Sequence, residues 1–520
     1  MSSGAVELPS FRAFYLDDEL EDARRDESFT HYLEKLRNVS RRKYRAPKPL
    51  DRMLRAYQLE GFRWLSMLLD SGFGGVLADE MGLGKSAQII ALLLARRTEA
   101  HKIGPSLIVC PASLVYNWVA EFERFAPELD VRPIVGTKRE RARIRADRAC
   151  DVFITSYDLL RIDSADYDGR EFFCCILDEA QYIKNHATLT TRSVKRINAR
   201  HRFALTGTPM ENRLSELWSI FDFLMPGLLG SYMRFRERFE LSIMGDDDEA
   251  ARRLQALVGP FMMRRLKADV LRDLPDKIES VFYTPLEEEQ RKLYAAHEQQ
   301  LRESLTEQRR NRKEHAFNEH KVEVLAELTR LRQLCCDPHL LYENYAGSAA
   351  KLDAIVELVE SACGAGEKVL VFSQFTSFLA LIAERLDASG IPHYTLTGST
   401  AKRKRLDLVN AFNEDDTPAF LMSLKAGGTG LNLTGASIVI HADPWWNAAA
   451  QAQATDRTHR IGQSKVVSVY KMIAKDTIEE RILKLQEAKS GLADRIIGSG
   501  NAGVSLANLT EDDLIELLQP

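Results

Sequence analysis

The 520-residue sequence contains no apolar stretch near the roughly 18–20 uninterrupted residues that a membrane-spanning helix needs. Its densest run, Ile89 to Ala95, is far too short, so no membrane partner is expected. The opening MSSGAVELPS lacks the charged-then-apolar build of a secretory signal. Cysteine is scarce. The seven (Cys110, Cys150, Cys174, Cys175, Cys335, Cys336, Cys363) are odd in number and show no Cys-x-x-Cys spacing, which argues against zinc and disulfide frameworks. Adjacent pairs such as Cys174-Cys175 read as small core residues. The expected compartment is reducing: cytoplasm or nucleoid in a bacterium, nucleus in a eukaryote, with the cytoplasm taken first. An excess of one charge is also missing. Lys+Arg 71 against Asp+Glu 75 leaves −4, which by itself argues against a surface coated in positive charge to grip nucleic acid.

What is present is ordinary globular composition, 45% hydrophobic and 28% charged, in a chain long enough for roughly three to four domains. Residues 1–50 alternate acidic and basic blocks and read as an N-terminal arm. Short apolar strands then alternate with helical patterns: GGVLA at Gly74, SLIVC at Ser106, VFIT at Val152, FFCCIL at Phe172 and RFALT at Arg202. Such strands, bounded by turns and separated by helices, indicate a parallel sheet covered on both faces. Long charged helices follow from Leu286 to about Tyr345, and a second α/β rhythm begins near Lys351. The expected fold class is α/β, two parallel-sheet lobes with helical protrusions inserted between them. The expected boundaries are 51–230 for the first lobe, 231–285 for a first protrusion and the end of that lobe, and 286–350 for a second helical protrusion. A second lobe is expected over 351–490 and a C-terminal extension over 491–520.

After GGVLA comes Asp79-Glu80-Met81-Gly82-Leu83-Gly84-Lys85-Ser86, then the apolar helix AQIIALLLA. Two glycines let the backbone curl so that its N–H groups face a phosphate, and the helix N-terminus adds its positive end. Lys85 reaches the β- and γ-phosphates of ATP in such a loop, and the Ser86 hydroxyl ligates Mg²⁺. Asp79 stands where the common pattern opens with glycine. The complement is an apolar strand ending in acid, supplied by FFCCIL-Asp178-Glu179. Asp178 at the strand tip is suited to the Mg²⁺ shell, and Glu179 to orienting and deprotonating the attacking water.

Together these blocks resemble the Swi/Snf-type branch of the superfamily 2 helicase-like ATPases, over about Leu54 to Lys489. The carrying blocks are YQLEGFRWL at Tyr57, DEMGLGKS at Asp79, DEAQ at Asp178 and LTGTPMENRLSELWSIFDFL at Leu205. The second half adds VFSQF at Val371, SLKAGGTGLNLTGA at Ser423 and QATDRTHRIGQ at Gln453. The resemblance implies two RecA-like lobes. It implies that Gln58 reads adenine, that Thr206, Thr208 and Gln453 couple hydrolysis to lobe movement, and that Gly428 and Gly430 form a glycine turn near the γ-phosphate. It casts Arg457 and Arg460, three apart and on one face if helical, as arginine fingers. Ser86 replaces the commoner Thr and Gln181 the more frequent His.

The same resemblance implies an ATP- and Mg²⁺-dependent motor that tracks the backbone of double-stranded DNA and reads no bases. Candidate contacts are Pro111, Ser113, Thr155, Ser156, Gln374 and Lys425. Trp446, with Trp445, either stacks on the duplex or packs beside the sheet. Local basic clusters such as Lys138-Arg139 and Arg141 to Arg148 outweigh the net charge in this argument. The expected activity is a DNA-stimulated ATPase that translocates and displaces DNA-bound protein complexes without separating strands. The alternatives are a strand-separating DNA or RNA helicase, or an ATP-operated switch that docks a machine such as RNA polymerase. A monomer is expected.

Overall fold

The computed structural model describes residues 44–99, 104–147, 149–207, 214–244, 247–271, 274–310, 316–427, 431–446 and 448–486, together with Glu27. The chain divides into two units on either side of residue 272.

The first unit is built on a seven-stranded sheet. Its strands are β1 (Gly75–Leu77), β2 (Ser106–Cys110), β3 (Val131–Pro133), β4 (Val152–Ser156), β5 (Glu171–Asp178), β6 (Asn198–Leu205) and β7 (Met262–Met263). They lie in the order β3-β4-β2-β5-β6-β1-β7 and every pair is parallel. The central strands SLIVC and VFITS are buried at every position, as expected of a sheet with helices on both faces. The register sets Leu77 of β1 opposite Leu205 of β6, and Leu205 opposite Asp178 of β5. The carboxyl ends of these three neighbours therefore finish at one level, the usual place for a ligand in an open α/β sheet.

The second unit carries a six-stranded sheet of β8 (Lys277–Thr284), β9 (Val369–Ser373), β10 (His393–Leu396), β11 (Ala419–Ser423), β12 (Ile438–His441) and β13 (Val467–Ala474). The order is β10-β11-β9-β12-β13-β8, again wholly parallel. Alternate residues of one strand serve two cores. Val369 and Val371 pack with Ile355, Phe378 and Ile382, whereas Leu370 and Phe372 pack with Val409, Phe412 and Leu433. The two-lobe α/β expectation therefore holds.

The expected boundary at 285 needs correction. Strand β8 pairs with β13 along its whole length, so the second unit already begins before Lys277. Seven of its eight residues are exposed, and its apolar run is confined to the short Val281-Phe282-Tyr283 behind the polar Lys277, Glu279 and Ser280. The helices Glu288–Arg310 and Ala316–Cys336 are also part of this unit. Their Tyr294, Leu301, Leu328 and Leu331 share a core with Trp446, Ile478 and Ile482.

Candidate active site

Strand β1 ends buried and the chain turns through Asp79–Gly84 into the helix Lys85–Glu99. Gly82 and Gly84 have φ of +84° and +73°, a region that side chains with a Cβ avoid, so the two glycines permit the curl. Lys85 Nζ donates to the Asp79 carbonyl at 2.8 Å across the loop. Lys85 and Ser86 remain partly open, while Asp79 is fully buried. Its carboxylate turns inward and accepts from Arg265 Nε at 2.9 Å, from Arg265 Nη2, and from Gln88 Nε2 at 3.2 Å. A carboxylate thus fills the place of the usual first glycine by serving the loop's frame. Met81 lies against Gly207, where a Cβ would come within 2.9 Å of Met81 Cγ.

Gln58 sits on the helix Ala56–Asp70, at its third position, and its side chain caps the amide that opens that helix. Its Oε1 accepts from the Arg55 amide at 2.9 Å and its Nε2 donates to the Leu83 carbonyl at 3.1 Å. Tyr57 Oη donates to the same carbonyl at 3.0 Å, and burial pushes its phenol up to about 12. The glutamine expected at the adenine is therefore fastened to the phosphate loop itself.

Asp178 ends β5, and Glu179 follows in the left-handed region at φ +51°. Asp178 Oδ2 accepts from the Trp118 indole N–H at 2.8 Å, its Oδ1 from the Glu179 amide at 2.9 Å, and its carbonyl from Tyr157 Oη at 2.8 Å. Burial, then the neighbouring Glu179 carboxylate, push the Asp178 carboxyl up to about 7, against the opposing pull of the Trp118 N–H and the Lys85 ammonium. Leu77, which leads into the loop, and Asp178 lie level across Leu205, so the fold brings the two halves of the site to one end of the sheet. Gln181 Nε2 donates to Glu179 Oε2 at 2.9 Å, and Gln181 Oε1 accepts from Thr206 Oγ1 at 3.0 Å. Thr206 also hangs its amide on the Leu77 carbonyl, so the tips of β1, β5 and β6 are tied in one chain. Thr208, like Gly428 and Gly430, lies outside the described residues.

In the second unit the helix Ala448–Thr455 ends before Arg457, so the two arginines follow it in a turn and share no helix face. Arg457 is buried and its carbonyl accepts from the Leu433 amide at 3.0 Å. Arg460 is half-buried, with Nη1 3.4 Å from the Leu431 carbonyl. Gln453 is half-buried on the helix itself.

Several expected DNA contacts are buried or have side chains engaged inside the protein. Thr155 is fully buried, and Ser156, 2% exposed, caps the helix Tyr157–Ile162. Pro111 is buried and Ser113 half-buried. Trp446 is 4% exposed in the second unit's core, with the Arg332 guanidinium 5.4 Å over its ring, so the packed reading wins over stacking on a duplex. Gln374 Oε1 accepts from Arg332 Nη1 at 2.9 Å. Lys425 falls in the short helix Leu424–Gly427, and its side chain is outside the described set. The basic run at Lys138 is divided too. Arg141 and Arg145 turn inward onto Asp163, at 2.6 and 2.5 Å, and leave Lys138, Arg139 and Arg143 on the surface. Trp118 and Gln88 escaped the sequence reading, because the first lies in an ordinary amphipathic helix and the second inside an apolar one, neither with a chemical signature of its own.

A glycine-turned phosphate loop beside an acid-tipped strand, in an α/β chain with a second parallel-sheet unit, defines a helicase-like ATPase core. Residues 57–340 match the family model of the SNF2-related domain, and residues 350–462 match that of the helicase conserved C-terminal domain. The chain belongs to the SNF2-related family. It is 39% identical to an uncharacterised ATP-dependent helicase of Mycoplasma genitalium, over 85% of this chain and 42% of that one. It is 41% identical to YwqA of Bacillus subtilis, named provisionally as an ATP-dependent helicase/translocase, over 89% and 51%. The solved SWI2/SNF2 ATPase core of Sulfolobus solfataricus in complex with double-stranded DNA is 35% identical. That match covers 89% of this chain and 96% of that one, with a TM-score of 0.44. The chain spans about half the length of the curated relatives it matches.

Proposed function

We propose that this chain is the core of an ATP-driven double-stranded DNA translocase that remodels or displaces DNA-bound protein complexes without net strand separation. The observation that supports it most is the level finish of β1, β6 and β5, which sets the phosphate loop after Leu77 and the acids Asp178 and Glu179 at one end of the sheet, in a chain whose relatives carry helicase and translocase names. Lys85 and the loop N–H groups hold the β- and γ-phosphates of ATP. Glu179, held by Gln181, orients and deprotonates the attacking water. The Gln181–Thr206 bond passes a change at that carboxylate to the tip of β6. Arg457 and Arg460 are the candidates for neutralising charge that develops on the transferred phosphoryl.

Ser86 and Asp178 offer a hydroxyl and a carboxylate, the hard oxygen set that suits Mg²⁺ alongside substrate phosphates. When bound there, Mg²⁺ supplies neutralisation of the phosphate charge.

The test is the steady-state ATPase rate with no nucleic acid, single-stranded DNA, duplex DNA and duplex RNA. Duplex DNA is expected to stimulate most, and equal rates in all four would sink the proposal. Triplex displacement run beside strand separation then decides between translocase and helicase, with displacement alone expected.

A further inference from the structure

The phosphate loop is joined to a segment far away in sequence. Beyond the short pairing of β1 with β7, the Ala78 amide donates to the Met263 carbonyl at 2.7 Å and the Glu80 amide to the Arg265 carbonyl at 2.9 Å. In return the Lys267 amide donates to Glu80 Oε2 at 2.7 Å, and Lys267 Nζ lies 3.6 Å from Glu80 Oε1. The loop's first residues therefore extend the sheet edge made by Met263–Lys267.

Arg265 occupies the centre of this junction. Its guanidinium grips both oxygens of Asp79, donates from Nη2 to Gln88 Oε1 at 2.9 Å, donates from Nη1 to the Tyr57 carbonyl, and lies 5.2 Å over the Tyr57 ring. Its partners reach the other end of the loop. Gln88 Nε2 lies 3.4 Å from the Gly84 carbonyl, and Tyr57 and Gln58 both hold the Leu83 carbonyl. A planar five-donor fork is the group that can hold a carboxylate, an amide and a carbonyl at once; a lysine ammonium cannot match that geometry. The surroundings are shaped to admit it. A Cβ on Gly61, inside the helix Ala56–Asp70, would fall 1.7 Å from Gln88 Oε1 and 2.8 Å from Arg265 Nη2. Glycine stands there although alanine favours a helix by roughly 1 kcal/mol.

We propose that Arg265 is a positioning residue of the phosphate loop, pinning both ends of Asp79–Gly84 so that its N–H groups are set before the nucleotide arrives. It does not touch the nucleotide. Because Arg265 precedes the crossing at residue 272, the same contacts tie nucleotide occupancy to the stretch through which the chain enters its second unit. This role rests on the ATPase reading of the site.

The test uses the full chain and two substitutions, Arg265→Lys and Gly61→Ala. The second keeps every side chain of the cluster and only displaces Gln88 and Arg265. Both are expected to retain the far-ultraviolet signature of the wild type while binding a fluorescent ATP analogue about tenfold more weakly. KM for ATP should rise with kcat little changed, because the loop grips the phosphates alike in ground and transition states. In the wild type, the nucleotide should slow amide hydrogen exchange at Glu80 and Lys267. Wild-type binding of the analogue with equal affinity in both variants would overturn the positioning role alone. Exchange at Glu80 and Lys267 unchanged by nucleotide would overturn the link to the crossing segment. A wild type that bound no nucleotide would overturn the ATPase reading and this role with it.

Discussion

At the scale of single residues, the site depends on side chains that hold other side chains. Asp178 is enclosed and stands beside a second carboxylate, so its charged form needs donors. Among the described residues, the Trp118 indole is the side-chain donor at hydrogen-bond distance. Replacing Trp118 by Phe keeps an aromatic ring and removes the N–H. A hydrogen bond to a charged group contributes about 1.5–3 kcal/mol, so the ATPase rate is expected to fall roughly 10- to 100-fold with the circular dichroism unchanged. A rate within twofold of wild type would show that the bond does not matter to the chemistry. The acids and Lys85 themselves were legible in the sequence because a strand, a glycine turn and a charge at fixed spacing leave few other readings. Trp118 was not, since a tryptophan in an amphipathic helix has core packing as its ordinary explanation.

At the scale of elements, residues that look alike in sequence part company. The helix Lys138–Arg145 has a run of basic residues, yet Arg141 and Arg145 share the buried Asp163 with side chains 7% and 6% exposed. The cluster pins this helix to the segment after the helix Tyr157–Ile162 and holds the Asp163 carboxyl below its usual range, the Arg141 hydrogen bond leading. Asp163→Asn removes the charge that the two guanidinium groups share, leaving Arg145 its pair with Asp166 and Arg141 its bond to the Gly136 carbonyl. It is expected to lower unfolding stability by about 1.5–3 kcal/mol, read as a drop in the urea midpoint. An unchanged midpoint would mean the pair is relieved by solvent. The sequence could not show this, because an arginine on the inner face of a short basic helix carries the same letter as its exposed neighbour. Strand β8 is the opposite failure: an exposed edge strand whose apolar run is only Val281-Phe282-Tyr283, assigned to the second sheet once β13 is seen beside it.

At the scale of the molecule, the two units each fold round their own parallel sheet, and the second contains a titratable group with a consequence for the whole. His441 ends β12, stacks on Phe372 at 5.6 Å, and shares a hydrogen bond with Thr455 at 2.8 Å. Burial, with Lys471 adding to it, holds the imidazole neutral and pulls it down to about 3. In the unfolded chain it protonates near its ordinary value of about 6.5. Between those values the unfolded state binds the extra proton. The penalty is therefore absent above about 6.5, grows as pH falls, and is complete below about 3. The urea midpoint of the second unit is expected to drop between pH 7 and 4, and His441→Phe to flatten that slope. Parallel slopes for the two proteins would refute the assignment.

The sequence by itself determined the fold class and the family, and marked the candidate residues of the ATP site, because periodicity and fixed spacing are local and survive in one dimension. It also determined the near-neutral charge, which the structure recasts: some basic residues are internal ties, and others remain on the surface. Only the tertiary structure decided that Trp446 is core, that Thr155 and Ser156 face inward, and that Asp79 binds Arg265 across 186 positions of chain. Burial and ion pairing arise between elements distant in sequence, and no local pattern of residues records which partner each one meets.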